Sequence, residues 1–302
     1  MDAPRTVVIG NITRDTLFEV DHLPVLDDVS TVRRKTVCFG GRGAASSTIL
    51  SGTFPTELVT SVPSHARSEV ESFLVAASDS CAGIEWIDTG EQLSEVLVTI
   101  GREEQDCTSL FDPGYEGQSV SKSQTEIIGR ATHVYLTTHG SRFNIESLGS
   151  VRDNATVVCN ITSYLFKRDD YRMAMLPRAN VLIGNELEWS DLLSLLGTDH
   201  PREVFALAPR LSSAFRTLGA RGAEAFTSSD SHFAAAEPGA VVRSPVGVGD
   251  AFASGALSAL VRGLGVADGL AHGMSLARMS LASDGTCLNP ADARQYFVET
   301  HS

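Results

Sequence analysis

The chain has 302 residues, a formal net charge of −13, 42% hydrophobic residues and 20% charged ones, the composition of a globular protein long enough to bury an extensive core. The acidic balance argues against a general nucleic-acid binder, which needs a basic surface to neutralise phosphates, and no run of about 18 apolar residues marks a membrane span. The opening "MDAPRTVVIGNITRD" lacks a basic segment followed by an apolar one, so cytoplasmic residence is the default expectation. Cys38, Cys81, Cys107, Cys159 and Cys287 are odd in number and form no CxxC pair, and the histidines are scattered. Neither a disulfide framework nor a zinc site is expected.

In chain order, "RTVVIGN" (5–11) reads as a buried strand feeding a turn. Leu17–Pro24 and Ser30–Gly41 alternate apolar and polar residues, as half-exposed strands do. "GGRGAASSTILSG" (40–52) is a glycine loop running into a tightly packed helix. Thr56–Val62 reads as a strand and Ser64–Ser80 as an amphipathic helix. Glu95–Gly101 and Cys107–Gly114 form a second hairpin around "REEQD". Beyond residue 130, apolar strands at Thr132–Thr138, Ala155–Asn160 and Ala179–Asn185 alternate with helices at Asn144–Arg152, Asp169–Leu176 and Glu186–Leu196. Pro201–Ser212 reads as a helix, "AFRTLGARGAEAF" as strand, turn, strand, and "SHFAAAE" and "GAVVRSP" as short strands. Two helical tracts follow, Asp250–Arg262 and Ala267–Ala282.

Strands alternating with helices define an α/β fold with a mostly parallel sheet covered on both faces. The early half-exposed strands do not fit that layer and are expected to form a small separate sheet, a lid. The expected organisation is one unit over residues 1–302, with lid strands within about 12–39 and 95–112.

Open α/β sheets bind ligands at the carboxyl ends of their strands, where this chain places "GNITRD", "GGRG", "GNELE", "LGARG" and "GVGD". In the last, Gly247 and Gly249 allow a sharp turn and close approach to a ligand. A helix starting near Asp250 offers unpaired N–H groups and a positive dipole end to an anion. An aspartate there suits a base that takes a proton from a hydroxyl. The plainer reading is a helix cap after two turn glycines. "GNITRD" lacks the three-glycine spacing of a dinucleotide fingerprint.

"SPVGVGDAFASGALSAL" resembles the C-terminal signature of the ribokinase-like (PfkB) sugar and nucleoside kinases, with Gly247, Gly249, Asp250, Phe252 and Gly255 in register. "FGGRGAASS" is similar to the N-terminal signature, "IGNELEW" to the Asn-x-x-Glu motif through Asn185 and Glu188, and "TLGARGA" to the nucleotide turn through Gly219 and Gly222. The four occur in the family's order over nearly the whole chain. The resemblance implies a three-layer α/β/α domain with a β lid and transfer of the γ-phosphoryl of ATP to an alcohol. In it Asp250 is the base, and Gly247, Val248 and Gly249 form the anion hole around the migrating group. It also implies Mg²⁺ held by Asn185 and Glu188 largely through waters, although helix capping is the plainer reading of that pair. Thr217, Gly219, Arg221, Gly222, Gly249, Asn185 and His272 fall on the nucleotide side, where Arg221 could equally be a solvated turn residue. Asn11, Asp15, Gly40, Gly41, Arg42, Ala45, His139 and Asp250 fall on the acceptor side, where an ordinary loop aspartate is the lesser alternative for Asp15.

Several positions depart from the family pattern. Ser244 and Pro245 replace an Asp-Thr that helps bind a monovalent cation in many members, which weighs against potassium activation. Ala45 replaces a sugar-contacting asparagine, Arg42 a lysine and His139 an acidic residue. An acceptor carrying a carboxylate, a phosphate or a base would suit Arg42 and His139. Two other readings share the residues. One is a vitamin kinase of the pyridoxal or hydroxymethylpyrimidine type, against which the lid hairpins speak. The other is a relative that binds without turnover, against which Asp250, Asn185 and Glu188 speak. The implied partners are a small-molecule acceptor and a second copy joined through the lid, with neither nucleic acid nor membrane.

Overall fold

Strand alternation sets the layers. In β1 (Thr6–Ile9), Val7 and Ile9 enter one apolar cluster and Val8 enters another on the opposite face. The structure is a computed structural model that describes residues 5–76, 82–117, 119–137, 139–283 and 285–300. The smaller sheet contains β2 (Thr13–Val20), β3 (Val32–Gly40), β6 (Glu95–Gly101) and β7 (Asp106–Asp112), ordered β3-β2-β6-β7. The larger takes β1 with β4 (Thr56–Pro63), β5 (Ile84–Ile87), β8 (His133–Leu136), β9 (Thr156–Asn160), β10 (Val181–Asn185), β11 (Ser213–Thr217), β12 (Ala223–Phe226) and β13 (Ser231–Ala234). Its order is β13-β12-β11-β10-β9-β8-β1-β4-β5. It is parallel from β5 to β11, and β12 and β13 close one edge antiparallel.

The helices are α1 (Arg42–Ser51), α2 (Arg67–Ala76), α3 (Lys122–Ile128), α4 (Ser141–Ser150), α5 (Ser163–Phe166), α6 (Asp169–Met175), α7 (Glu186–Leu196), α8 (Val204–Leu207), α9 (Val248–Val261), α10 (Val266–Leu281) and α11 (Pro290–Glu299). Helices α3 to α8 cover one face through Ile128, Phe143, Phe166, Tyr171, Trp189 and Val204. The other face takes α1, α2, α9 and α10 through Leu50, Leu74, Phe252, Leu257 and Leu270. A third cluster seats α11 on α1 and α10 through Ile49, Leu276 and Phe297. The indole N–H of Trp189 donates to the Phe215 carbonyl at 2.8 Å, so this buried ring keeps its hydrogen bond.

The α/β/α layering and the separate small sheet agree with the sequence reading. Two expected elements do not form. Pro201–Ser212 is a 3₁₀ turn at Pro201–Glu203 followed only by α8. Its C-cap, Ala208, has ψ 89, because Pro209 disfavours the helical conformation of the residue before it. "GAVVRSP" makes no strand. It follows edge strand β13 through Gly239 at φ 75, and Arg243 N–H donates instead to Leu281 O on α10, at 2.7 Å. Conversely, β5, α3, α5 and α11 were not anticipated. The part of the expected helix beyond Ala76, up to Ser80, lies outside the described residues, as does Cys81. The other four cysteines are free thiols.

Candidate active site

The parallel strands of the large sheet end together. Asn185 closes β10 directly opposite Thr217 on β11, and Asn160 ends the adjacent β9 opposite Ile183. At the end of β1, Gly10 and Gly43 meet. A Cβ on Gly43 would lie 2.5 Å from the Gly10 carbonyl carbon, so only glycine lets α1 start this close to the turn. That approach aims Arg42, the first residue of α1, across the strand ends. Its guanidinium bonds Asn160 Oδ1 at 3.1 Å and Thr162 Oγ1 at 3.4 Å, and pairs with Glu188 Oε1 at 2.9 Å. Burial acts against the Arg42 charge, but the Glu188 and Asp250 carboxylates outweigh it and hold its pKa above the ordinary value. Asn160 Nδ2 donates in turn to the buried Tyr135 hydroxyl at 3.1 Å.

On the small-sheet side, Asp15 is only 4% exposed. Its Oδ1 accepts from the Thr13 hydroxyl, and its Oδ2 sits where a Cβ on Gly40 would lie 2.1 Å away. Burial lifts its carboxyl to about 6; the Thr13 bond restrains the rise and the nearby Asp250 charge adds to it. Asn11, two residues before Thr13 in the chain, is buried, and its Oδ1 has no hydrogen-bond partner among the described residues. A buried acceptor left unpaired is costly unless a ligand completes it. The carbonyl of Asn11 packs against Gly41, at φ 95.

Helix α9 starts at Val248, two residues before the expected Asp250. Its N-cap is Gly247, left-handed at φ 77, and no side chain caps it. The first-turn N–H groups are therefore free of a side-chain acceptor and point the positive helix end at the cleft. Nothing lies within 4 Å of a Cβ built on Gly249. Asp250 is in this first turn, electrostatically coupled to Arg42, Glu188 and Asp15. Burial pushes its carboxyl up to about 6; Arg42 opposes that shift and Glu188 adds to it. Gly247 is held by steric need as well as by φ, since a Cβ would lie 2.0 Å from Thr286 O. Gly247→Ala is expected to cost about 1–3 kcal/mol of backbone strain, read as a lower urea midpoint at unchanged slope. An unaltered midpoint would show that this turn relaxes.

Asn185 and Glu188 form a reciprocal capping box on α7, with Glu188 N–H donating to Asn185 Oδ1 at 2.9 Å and Asn185 N–H to Glu188 Oε2 at 2.8 Å. The capping reading of this pair is therefore realised. Both Glu188 oxygens accept from the chain, leaving lone pairs that suit the waters of a hydrated Mg²⁺ better than direct ligation. Among the described residues no group of three or more His, Cys, Asp or Glu side chains could hold a metal. Arg221 is exposed and pairs with Glu186 at 2.5 Å, tying the Gly219–Arg221 turn to the start of α7.

Three further expected residues, His139, His272 and Ala45, are buried or half-buried. His139 is buried, 3.4 Å from the Thr60 hydroxyl and stacked near Phe143. Burial lowers its pKa to about 3. It is a neutral imidazole at neutral pH. His272 bonds the Tyr296 hydroxyl at 2.9 Å and packs on Phe297, so its described contacts lie with α11 rather than the Gly219–Gly222 turn. Ala45 is buried within α1. Sequence reasoning missed Thr13, Tyr135, Asn160, Thr162 and Thr286. Only Asn160, a polar residue ending an apolar strand, carried a local signal.

A doubly covered parallel sheet with a carboxylate at an uncapped helix start is an arrangement able to position a phosphoryl group for transfer. The pfkB family carbohydrate kinase model matches residues 4–293, and the chain belongs to that family. It is a phosphotransferase with an alcohol group as acceptor, a sugar or nucleoside kinase. No curated protein sequence matches this chain. Among solved structures it is similar to the Methanocaldococcus jannaschii nucleoside kinase, at 17% identity over 98% of both chains with a TM-score of 0.80. A Burkholderia thailandensis nucleoside kinase in complex with inosine aligns at 15% identity over 98% of both chains, TM-score 0.81. Arabidopsis thaliana ribokinase complexed with ribose and ATP aligns at 18% identity over 97% of this chain and 98% of that one, TM-score 0.75. These likenesses establish the ribokinase-like fold. No helix among the described residues is long and apolar enough to cross a membrane.

Proposed function

We propose that this chain transfers the γ-phosphoryl group of ATP to a hydroxyl of a small acceptor seated between the two sheets. The observation that carries this reading is Asp250, a carboxylate inside the first turn of a helix that no side chain caps. Asp250 takes the proton of the acceptor hydroxyl as its oxygen attacks phosphorus. The bond to the ADP oxygen breaks in line, and the backbone N–H groups at Gly247, Val248 and Gly249 bear the charge of the migrating group. Asp15 and Asn11 hold acceptor hydroxyls, and the Asn185, Thr217 and Gly219–Gly222 ends of β10 and β11 receive the nucleotide. That solved relatives hold ADP, or ribose and ATP, supports this assignment.

When bound, Mg²⁺ supplies charge neutralisation on the phosphates, and Glu188 with Asn185 would orient its waters. Glu188→Gln is expected to raise the Mg²⁺ concentration for half-maximal activity several-fold; an unchanged Mg²⁺ dependence would remove Glu188 from that role. The chain acts as one unit over residues 1–302, with the small sheet as lid, and the presence of that sheet weighs against a vitamin kinase. A cytoplasmic setting belongs to this reading. The lid is also proposed to pair two copies. Val37, Thr16, Leu97 and Leu110 stand in one cross-strand row on its outer face, and Leu110 is 72% exposed. Light scattering should show a dimer that Leu110→Lys converts to a monomer; a monomeric parent would refute this pairing. ADP release from ATP and Mg²⁺ across sugars and nucleosides tests the reaction itself.

A further inference from the structure

The inward face of the small sheet carries a second row. Cys38, Asp15, Val96 and Phe111 stand side by side on β3, β2, β6 and β7. Strands lie about 4.8 Å apart, so Phe111 is roughly 10 Å from Asp15 along that row, two strands away. Across the cleft, the Phe111 ring meets Tyr164 of α5, with centroids 6.1 Å apart and planes at 39°. Behind this contact lies a cavity of about 230 Å³ lined by Phe111, Pro113, Glu116, Tyr164, Leu165 and Arg168. Its volume is below the ~300–1,000 Å³ of sites for drug-sized ligands and suits one ring system. Burial lifts the Glu116 carboxyl, and the Arg168 guanidinium restrains that rise. Thr162, the N-cap of α5 two residues before Tyr164, bonds the Arg42 guanidinium at 3.4 Å, which places the cavity beside the cleft that Arg42 crosses.

A free pentose held at Asp15 and Asn11 would not reach this cavity. An acceptor that fills both parts is a sugar at one end and a flat, largely apolar ring with N–H donors at the other. Aromatic walls favour such a ring over more hydroxyls, and the Glu116 carboxylate can accept only from donors. We propose that the acceptor is a nucleoside, its base resting against Phe111 and Tyr164 with an N–H edge at Glu116. The inference rests on the kinase reading for its sugar end only.

The test is calorimetric titration of the full chain with ribose and with purine and pyrimidine nucleosides, with ADP release measured on the same samples in ATP and Mg²⁺. The proposal expects at least one nucleoside to bind ten or more times tighter than ribose. Phe111→Ala should then weaken that nucleoside about tenfold, the scale of one lost base–aromatic stack, while changing ribose and ADP binding less than twofold. Glu116→Gln should weaken it without loss of fold, read by thermal melting. Ribose binding as tightly as every nucleoside, equal weakening of both by Phe111→Ala, or binding of neither, would overturn it. Selective nucleoside binding with no ADP release would leave this proposal standing and overturn the phosphoryl-transfer reading. ADP release on free sugars, indifferent to Phe111, would do the reverse.

Discussion

Asp250→Asn is expected to lower kcat by about 10²–10⁴, the range supplied by a positioned general base, while ADP binds with little change. The substitution is nearly isosteric and leaves the Gly247 cap and the α9 N–H groups in place, so the loss isolates the base. The same carboxylate should set the acidic limb of the rate profile. Burial holds it near 6, and the reaction needs it deprotonated, so kcat/KM should be high above that pH and fall as pH drops through it. Asp15, also lifted to about 6 and coupled to Asp250, shares that limb, so the observed midpoint belongs to the pair. In Asp250→Asn the remaining limb reports Asp15 alone. A variant with most of the parent activity and an unmoved profile would show that another group takes the proton.

Arg42→Met is expected to be the next largest loss, about 10²–10³ in kcat, comparable to removing one preorganised charge from a transition-state site. Arg42 joins three structural elements, through Asn160, Thr162 and Glu188. Without it, Glu188 keeps only its capping contact with Asn185. The sign of the pH effect follows from the same charge. The guanidinium favours ionised Asp250 and opposes the lift from burial, so its removal drives that pKa further upward. The acidic limb should move to higher pH as well as lower in height. A purely structural role would lower the rate without moving the limb. Arg42→Lys should restore the limb more than the rate, because an ammonium keeps the charge but cannot form the planar fork that spans Asn160 and Glu188. Thermal melting of each variant separates misfolding from lost chemistry.

The chain's own pattern revealed the layers because Val7, Val8 and Ile9 are apolar on both faces, as only a doubly covered strand can be. The places of Asp250, Asn185 and the Gly219–Gly222 turn at strand and helix ends were legible because each belongs to one local motif. The ion pair between Arg42 and Glu188 was not legible. Its partners are 146 positions apart, brought together by the strand order of the large sheet and the close Gly10–Gly43 approach. Thr286 was missed for the same reason: it reaches the site from beyond α10, against Gly247 and Gly40. The Phe111–Tyr164 cavity depends on how the small sheet leans over α5, which no periodicity encodes. The burial that keeps His139 uncharged is likewise a tertiary property that its place in the sequence does not encode.

The most direct test of phosphoryl transfer is ³¹P NMR of the protein with ATP, Mg²⁺ and an acceptor panel of sugars and nucleosides. The account predicts a new phosphomonoester resonance growing in step with ADP for one acceptor class, and its disappearance in Asp250→Asn. ATP that binds but stays intact across the panel, or that yields only inorganic phosphate, would contradict it.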